Sequence, residues 1–81
     1  MEITISLNVF ERRFLLFIAS RGNEVDMDHN GLTTKALDAL NTLLVKGAII
    51  RTPLIGRDKT YQYKLTQMGT NLVDIIKENE Q

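Results

Sequence analysis

The run from Leu32 to Thr66, LTTKALDALNTLLVKGAIIRTPLIGRDKTYQYKLT, constrains the fold of this chain more than any other stretch. Its first half repeats apolar residues at Ala36, Leu37, Leu40, Leu43 and Leu44, the spacing of a helix with one buried stripe. Thr33 or Thr34 supplies a hydroxyl that can accept from an orphan N–H of the first turn. Gly47 ends the helix, because a left-handed residue after the last turn is cheap only without a Cβ. The stripe leaves Thr34, Lys35, Asp38, Asn41, Thr42 and Val45 facing outward, and short polar side chains with one base make a face that can read base edges. After the glycine, AIIRTPLI and TYQYKLT flank the polar turn Gly56-Arg57-Asp58-Lys59, which predicts a β-hairpin. Pro53 cannot donate a ladder bond, so it belongs on an edge or at a bulge. Tyr61, Tyr63 and Leu65 share one face of the second strand, and Gln62 and Lys64 take the other.

The flanks are shorter on signal. EITIS at 2–6 alternates polar and apolar residues and predicts a short N-terminal strand. Asn8 stands three residues before Glu11, a capping-box spacing, and a helix follows from Val9 to about Ser20. Phe10, Phe14, Phe17 and Ile18 form its expected core stripe, with Leu15 and Leu16 as apolar surface beyond what one partner face needs. A last helix opens at Thr66 as N-cap, with Met68, Leu72, Ile75 and Ile76 as its stripe and Val73 off it. Between the long helices, GNEVDMDHNGL has room for a turn or two of helix around Glu24–His29 with Val25 and Met27 inward, or for a tight loop closed by Asn30-Gly31.

Composition bounds the function. With 81 residues, 43% of them hydrophobic, the chain holds one small α+β domain, mostly α, over residues 1–81. It has no cysteine, which removes disulfides, thiolate metal sites and thiol catalysis and suits a reducing cytoplasm. No apolar run has the length of a membrane span, and no basic-then-apolar leader opens the chain, so a cytoplasmic location with no membrane partner is expected. Net charge is zero, but residues 35–64 hold six bases (Lys35, Lys46, Arg51, Arg57, Lys59, Lys64) against two acids, while both flanks are acidic.

Two site motifs are incomplete. Asp26-Met27-Asp28-His29-Asn30-Gly31 matches the first half of a calcium loop, but the closing carboxylate should stand at Leu37, inside the apolar stripe. His29 beside two aspartates is poor zinc evidence in a chain with one histidine and no cysteine. No phosphate-cradling glycine loop, nucleophile elbow or H-E-x-x-H motif is present, so neither an enzyme nor a cofactor is expected.

The pattern Leu43-x-x-x-Gly47-x-Ile49-x-Arg51, a polar turn with Asp58, then Tyr63-x-Leu65-Thr66-x-x-Gly69 resembles the MarR-type and PadR-type winged helix-turn-helix regulators over residues 33–73, with an abbreviated second helix. The resemblance implies a small winged-helix domain of about three helices and a hairpin wing that binds double-stranded DNA as a homodimer and regulates transcription. It implies that helix 33–46 reads the duplex through Thr34, Lys35, Asp38, Asn41 and Thr42. It implies that the 48–66 wing contacts the backbone through Arg51, Arg57 and Lys59. The dimer would be closed by the first and last helices, with Leu15, Leu16, Val73 and Ile76 as the expected interface. The alternative is a winged-helix protein-interaction module without DNA binding, which neutral net charge, Asp38 on the reading face and an outward Val45 favour. A third reading is a structural subunit or inhibitor that docks through Leu15 and Leu16.

Overall fold

The computed structural model describes residues 7–79, so the strand expected over 2–6 lies outside the described residues. The elements run α1 (Val9–Ser20), β1 (Glu24–Asp28), a single 3-10 turn (His29–Gly31), α2 (Thr34–Val45), β2 (Ile49–Pro53), β3 (Thr60–Leu65) and α3 (Gln67–Asn79). The three strands form an antiparallel sheet in the order β1-β3-β2, an α+β arrangement in which three helices cover one sheet face. Local chemistry sets most boundaries. The Asn8 side chain accepts from the Glu11 N–H at 2.8 Å and Thr33 Oγ accepts from the Ala36 N–H at 3.2 Å, so both helix starts are capped as the sequence predicts. α2 stops at Gly47, whose φ of +79° lets its N–H reach the Leu44 carbonyl while the Ala48 N–H reaches that of Leu43.

The segment between α1 and α2 departs from expectation. Glu24–Asp28 is a strand rather than a helical turn or loop, pairing with β3 so that Val25 faces Tyr63 and Met27 faces Tyr61. The reason lies in the alternation EVDMD. Val25 and Met27 are half-buried against the core while Glu24, Asp26 and Asp28 are exposed, a period-2 pattern that a helix would scatter around its axis. β1 takes the free edge of β3, so the hairpin becomes part of a three-stranded sheet, and β2 remains an edge strand with Pro53 at its end, as the missing N–H requires.

The core comprises Leu15 and Ile18 from α1, Leu40 and Leu43 from α2, Ala48, Ile49, Tyr63, and Val73 and Ile76 from α3. This corrects three expectations. Leu15, Val73 and Ile76 have no spare surface for a dimer interface, being 0%, 4% and 5% exposed within one chain; of the four expected interface residues only Leu16 is half-exposed. α1 turns Leu15 and Ile18 inward because α2 and α3 pack on that side, which leaves Phe10 and Phe17 exposed and Phe14 half-buried instead of central. On α3 the inward residues are Gly69, Val73 and Ile76, and Met68 points out.

Two contacts far apart in sequence lock these layers. Glu11, turned inward on α1, pairs with Lys46 at the end of α2 at 3.0 Å, which accounts for a buried carboxylate in an otherwise apolar stripe. The start of α3 is bolted to the end of α2. Thr66 caps α3 by accepting from the Gly69 N–H at 3.1 Å, its hydroxyl reaches the Gly47 carbonyl, and its own N–H donates to the Ala48 carbonyl at 3.0 Å. A Cβ on Gly69 would overlap that same Ala48 oxygen, so only glycine lets the helix approach so closely. The spaced Gly47, Thr66 and Gly69 of the sequence are parts of one junction.

Candidate nucleic-acid interface

α2 presents two adjacent rows to solvent. At about 100° per residue, Thr34, Asn41 and Val45 fall close together on the helical wheel, and Lys35, Asp38 and Thr42 fall on the next row. All but Thr42 are exposed, and Thr42 is half-buried. The hairpin side of this face has a definite structure. Arg51 on β2 extends its guanidinium to the Asn41 carboxamide, Nη1 to Oδ1 at 3.5 Å, and lies over the Tyr61 ring at 5.2 Å. Helix and hairpin side chains are thus continuous. Asn41 is exposed, and Arg51 engages its carbonyl oxygen rather than its NH2 group, which is a donor.

The other row faces the N-terminal end of α1. Lys35, Asp38 and Thr42 line a hollow with Asn8, Val9, Phe10 and Ala39. The Thr42 hydroxyl donates to the Asp38 backbone carbonyl at 2.9 Å, which removes it as a donor toward a ligand. Thr34 is the first helical residue, and Thr33 rather than Thr34 does the capping. Arg57 and Lys59 stand exposed in the loop joining β2 to β3. That loop is shaped by Gly56 at φ +82° and by Lys59 at φ +56°, and the Leu54 N–H donates to the Thr60 carbonyl at 3.1 Å to close it. Ile55, at the same tip, is fully exposed. The eight residues expected to meet DNA are therefore not one cluster: Asn41 and Arg51 meet, Arg57 and Lys59 share a tip, Lys35, Asp38 and Thr42 share a groove with α1, and Thr34 stands apart from these at the start of α2.

Behind Arg51 lies a polar-aromatic stack that the sequence does not announce. His29 Nε2 and Tyr63 Oη are hydrogen-bonded at 2.6 Å, and the imidazole packs on Tyr61 with ring centres 4.5 Å apart. Burial, with Arg51 nearby, lowers the His29 pKa below 6.5 against the opposing pull of Asp28. Burial raises that of Tyr63 above 10.0, although the Arg51 guanidinium works in the other direction. At neutral pH the imidazole is uncharged and the phenol protonated, so a neutral hydrogen bond supports the platform on which Arg51 lies. No local signal announces this stack, because His29 follows β1 while both tyrosines belong to β3. The aspartates of the calcium-like motif point elsewhere: Asp26 is on the outer sheet face and Asp28 accepts from the Asn30 N–H at 2.8 Å.

In comparisons with known proteins, no family model, no curated relative and no solved structure matches this chain. Among the described residues, no helix is long and apolar enough to cross a membrane.

Proposed function

We propose that this chain is a winged-helix DNA-binding regulator that lays α2 in the major groove and sets the β2–β3 hairpin against the adjacent backbone. The observation that carries the reading is the meeting of Asn41 and Arg51, which makes the exposed row of α2 and the basic hairpin one surface. An α-helix with its side chains, about 10–12 Å across, fits a groove about 12 Å wide, and an asparagine amide can pair with adenine there. Arg57 and Lys59 at the hairpin tip supply phosphate contacts. Further support comes from the element order, in which the 3-10 turn at His29–Gly31 stands where a winged helix has its middle helix. Charge agrees, since the bases of the chain concentrate in residues 35–64.

The reading is tested by a mobility shift on duplex DNA as a function of salt. Arg57→Ala and Lys59→Asn (asparagine tolerates the left-handed dihedral) should each weaken binding equally for all sequences. Each should also flatten the slope of log affinity against log salt by about one for every phosphate left without its cation. Asn41→Ala should relax preference at one base pair, at a cost of about 1–3 kcal/mol for the preferred site. Asp38→Asn should tighten nonspecific binding, because a carboxylate near phosphate repels. Duplex affinity unchanged in all four variants, or no shift at low salt for the wild-type chain, removes the proposal. The protein-interaction reading then stands in its place, favoured by Val45, which is 88% exposed at the end of the same face.

A further inference from the structure

The side of α1 next to its core-facing residues carries the chain's three phenylalanines in one row, with Phe14 partly buried against the core. Phe10, Phe14 and Phe17 follow each other at i, i+4 and i+7, and Phe10 and Phe17 are 41% and 39% exposed. They wall a groove between α1 and α2. One hollow is lined by Phe10, Arg13, Phe14, Phe17 and Ala36, and a second shares Phe10 and continues along Ala39, Lys35 and Asp38. Ala36 and Ala39 form its floor, and their small side chains are what keep it open. An aromatic row beside a groove on a chain this small exceeds the scattered exposure that a soluble surface needs no partner to explain.

Its rim is basic. Arg13 and Lys35 flank the groove without a carboxylate in ion-pair range among the described residues, and the Arg21 guanidinium lies over the Phe17 ring at 5.4 Å. The single acid of α1, Glu11, is turned inward onto Lys46, so every exposed charge on this helix is positive. We propose that the groove binds an acidic amphipathic helix of a partner protein. The partner's apolar stripe would pack on Phe10, Phe14 and Phe17, and its carboxylates would face Arg13, Arg21 and Lys35. A second copy of this chain does not fit that chemistry. Two α1 faces would set arginine against arginine, and α3, which carries the exposed acids Asp74 and Glu78, keeps Val73 and Ile76 inside its own core. The row from Phe10 to Phe17 is two helical turns, about 10 Å, so two turns of the partner supply the anchors.

The test uses the full chain and a fluorescent synthetic peptide of about 16 residues, long enough to be helical, with Leu at i, i+4, i+7 and i+11 and Glu between. Anisotropy should show saturable binding, weakened at least tenfold by Phe17→Ser and by Phe10→Ser, with unchanged circular dichroism for both variants. Arg13→Glu with Lys35→Glu should abolish binding of the glutamate peptide and confer binding of the same peptide carrying Lys in place of Glu. Three outcomes overturn the proposal. They are no binding of the glutamate peptide, equal binding of a scrambled peptide that has no apolar stripe, and sedimentation showing a homodimer that Phe17→Ser dissolves.

Discussion

Gly69 shows how one residue carries a junction. The Ala48 carbonyl accepts from the Thr66 N–H and occupies the space where a Gly69 Cβ would be, and this oxygen is backbone held by both the end of α2 and the start of α3. Gly69→Ala gains helix propensity of about 1 kcal/mol and loses more to forced separation of α3 from α2, so a net destabilisation of about 1–3 kcal/mol is expected. Thermal melts should register it as several degrees, and an unchanged melting temperature would mean that the two helices are not in this contact. His29 gives a second prediction at this scale. Its folded pKa is lowered, so the unfolded chain takes up a proton first as pH falls. Stability is full above the unfolded value of 6.5 and declines as pH drops from there toward the folded value. Urea unfolding between about pH 7.5 and 5.5 should show this decline in the wild-type chain and lose most of it in His29→Gln. A decline of equal size in both would assign it to the carboxylates.

Helix α1 sets two kinds of apolar residue on adjoining faces, and substitution separates them. Leu15 is wholly buried among residues of α2, α3 and the sheet, so Leu15→Ala should cost about 2–5 kcal/mol. Phe10, 41% exposed and outside the core cluster, should lose less on Phe10→Ala, about 1 kcal/mol. A similar loss at both positions in chemical denaturation would contradict the orientation of the helix. The Glu11–Lys46 pair pins this orientation. Lys46→Met deprives a carboxylate that is only 6% exposed of its ammonium partner, a loss of about 1–3 kcal/mol, and adding Glu11→Leu should restore part of it. A double-mutant cycle with no coupling would show that the pair contributes nothing.

At the scale of the whole molecule, two surfaces share residues. Lys35, Asp38 and Thr42 stand both on the outward face of α2 and in the groove beside Phe10. An acidic helix seated there covers the row that the proposed duplex contact needs. Saturating peptide is therefore expected to raise the concentration of chain needed to shift duplex, and simultaneous binding without competition would separate the two surfaces. The buried α3 residues behave differently. Val73→Glu and Ile76→Glu place a charge in the single-chain core, so loss of helical circular dichroism is expected rather than dissociation of a folded dimer.

Legibility follows the range of the signal. The α2–Gly47–hairpin–Thr66 succession could be read directly, because caps, a left-handed glycine and alternating strands act through neighbours a few residues apart. Sequence could also place Lys35, Asp38, Asn41 and Val45 on the outside, since the apolar stripe of α2 leaves no other side for them. α1 was different: its Phe10, Phe14, Leu15, Leu16, Phe17 and Ile18 are apolar nearly all round, and only packing against α2 and α3 decided that Leu15 and Ile18 go in, Phe14 stays at the margin, and Phe10 and Phe17 stay out. EVDMD is too short to choose strand over turn by itself; the unpaired edge of β3 made the choice. The meeting of Asn41 with Arg51, the stack of His29 on Tyr61 and the burial of Glu11 against Lys46 join residues from 10 to 35 positions apart. No local pattern encodes such distances, because they are set by how helices and sheet close over a shared core.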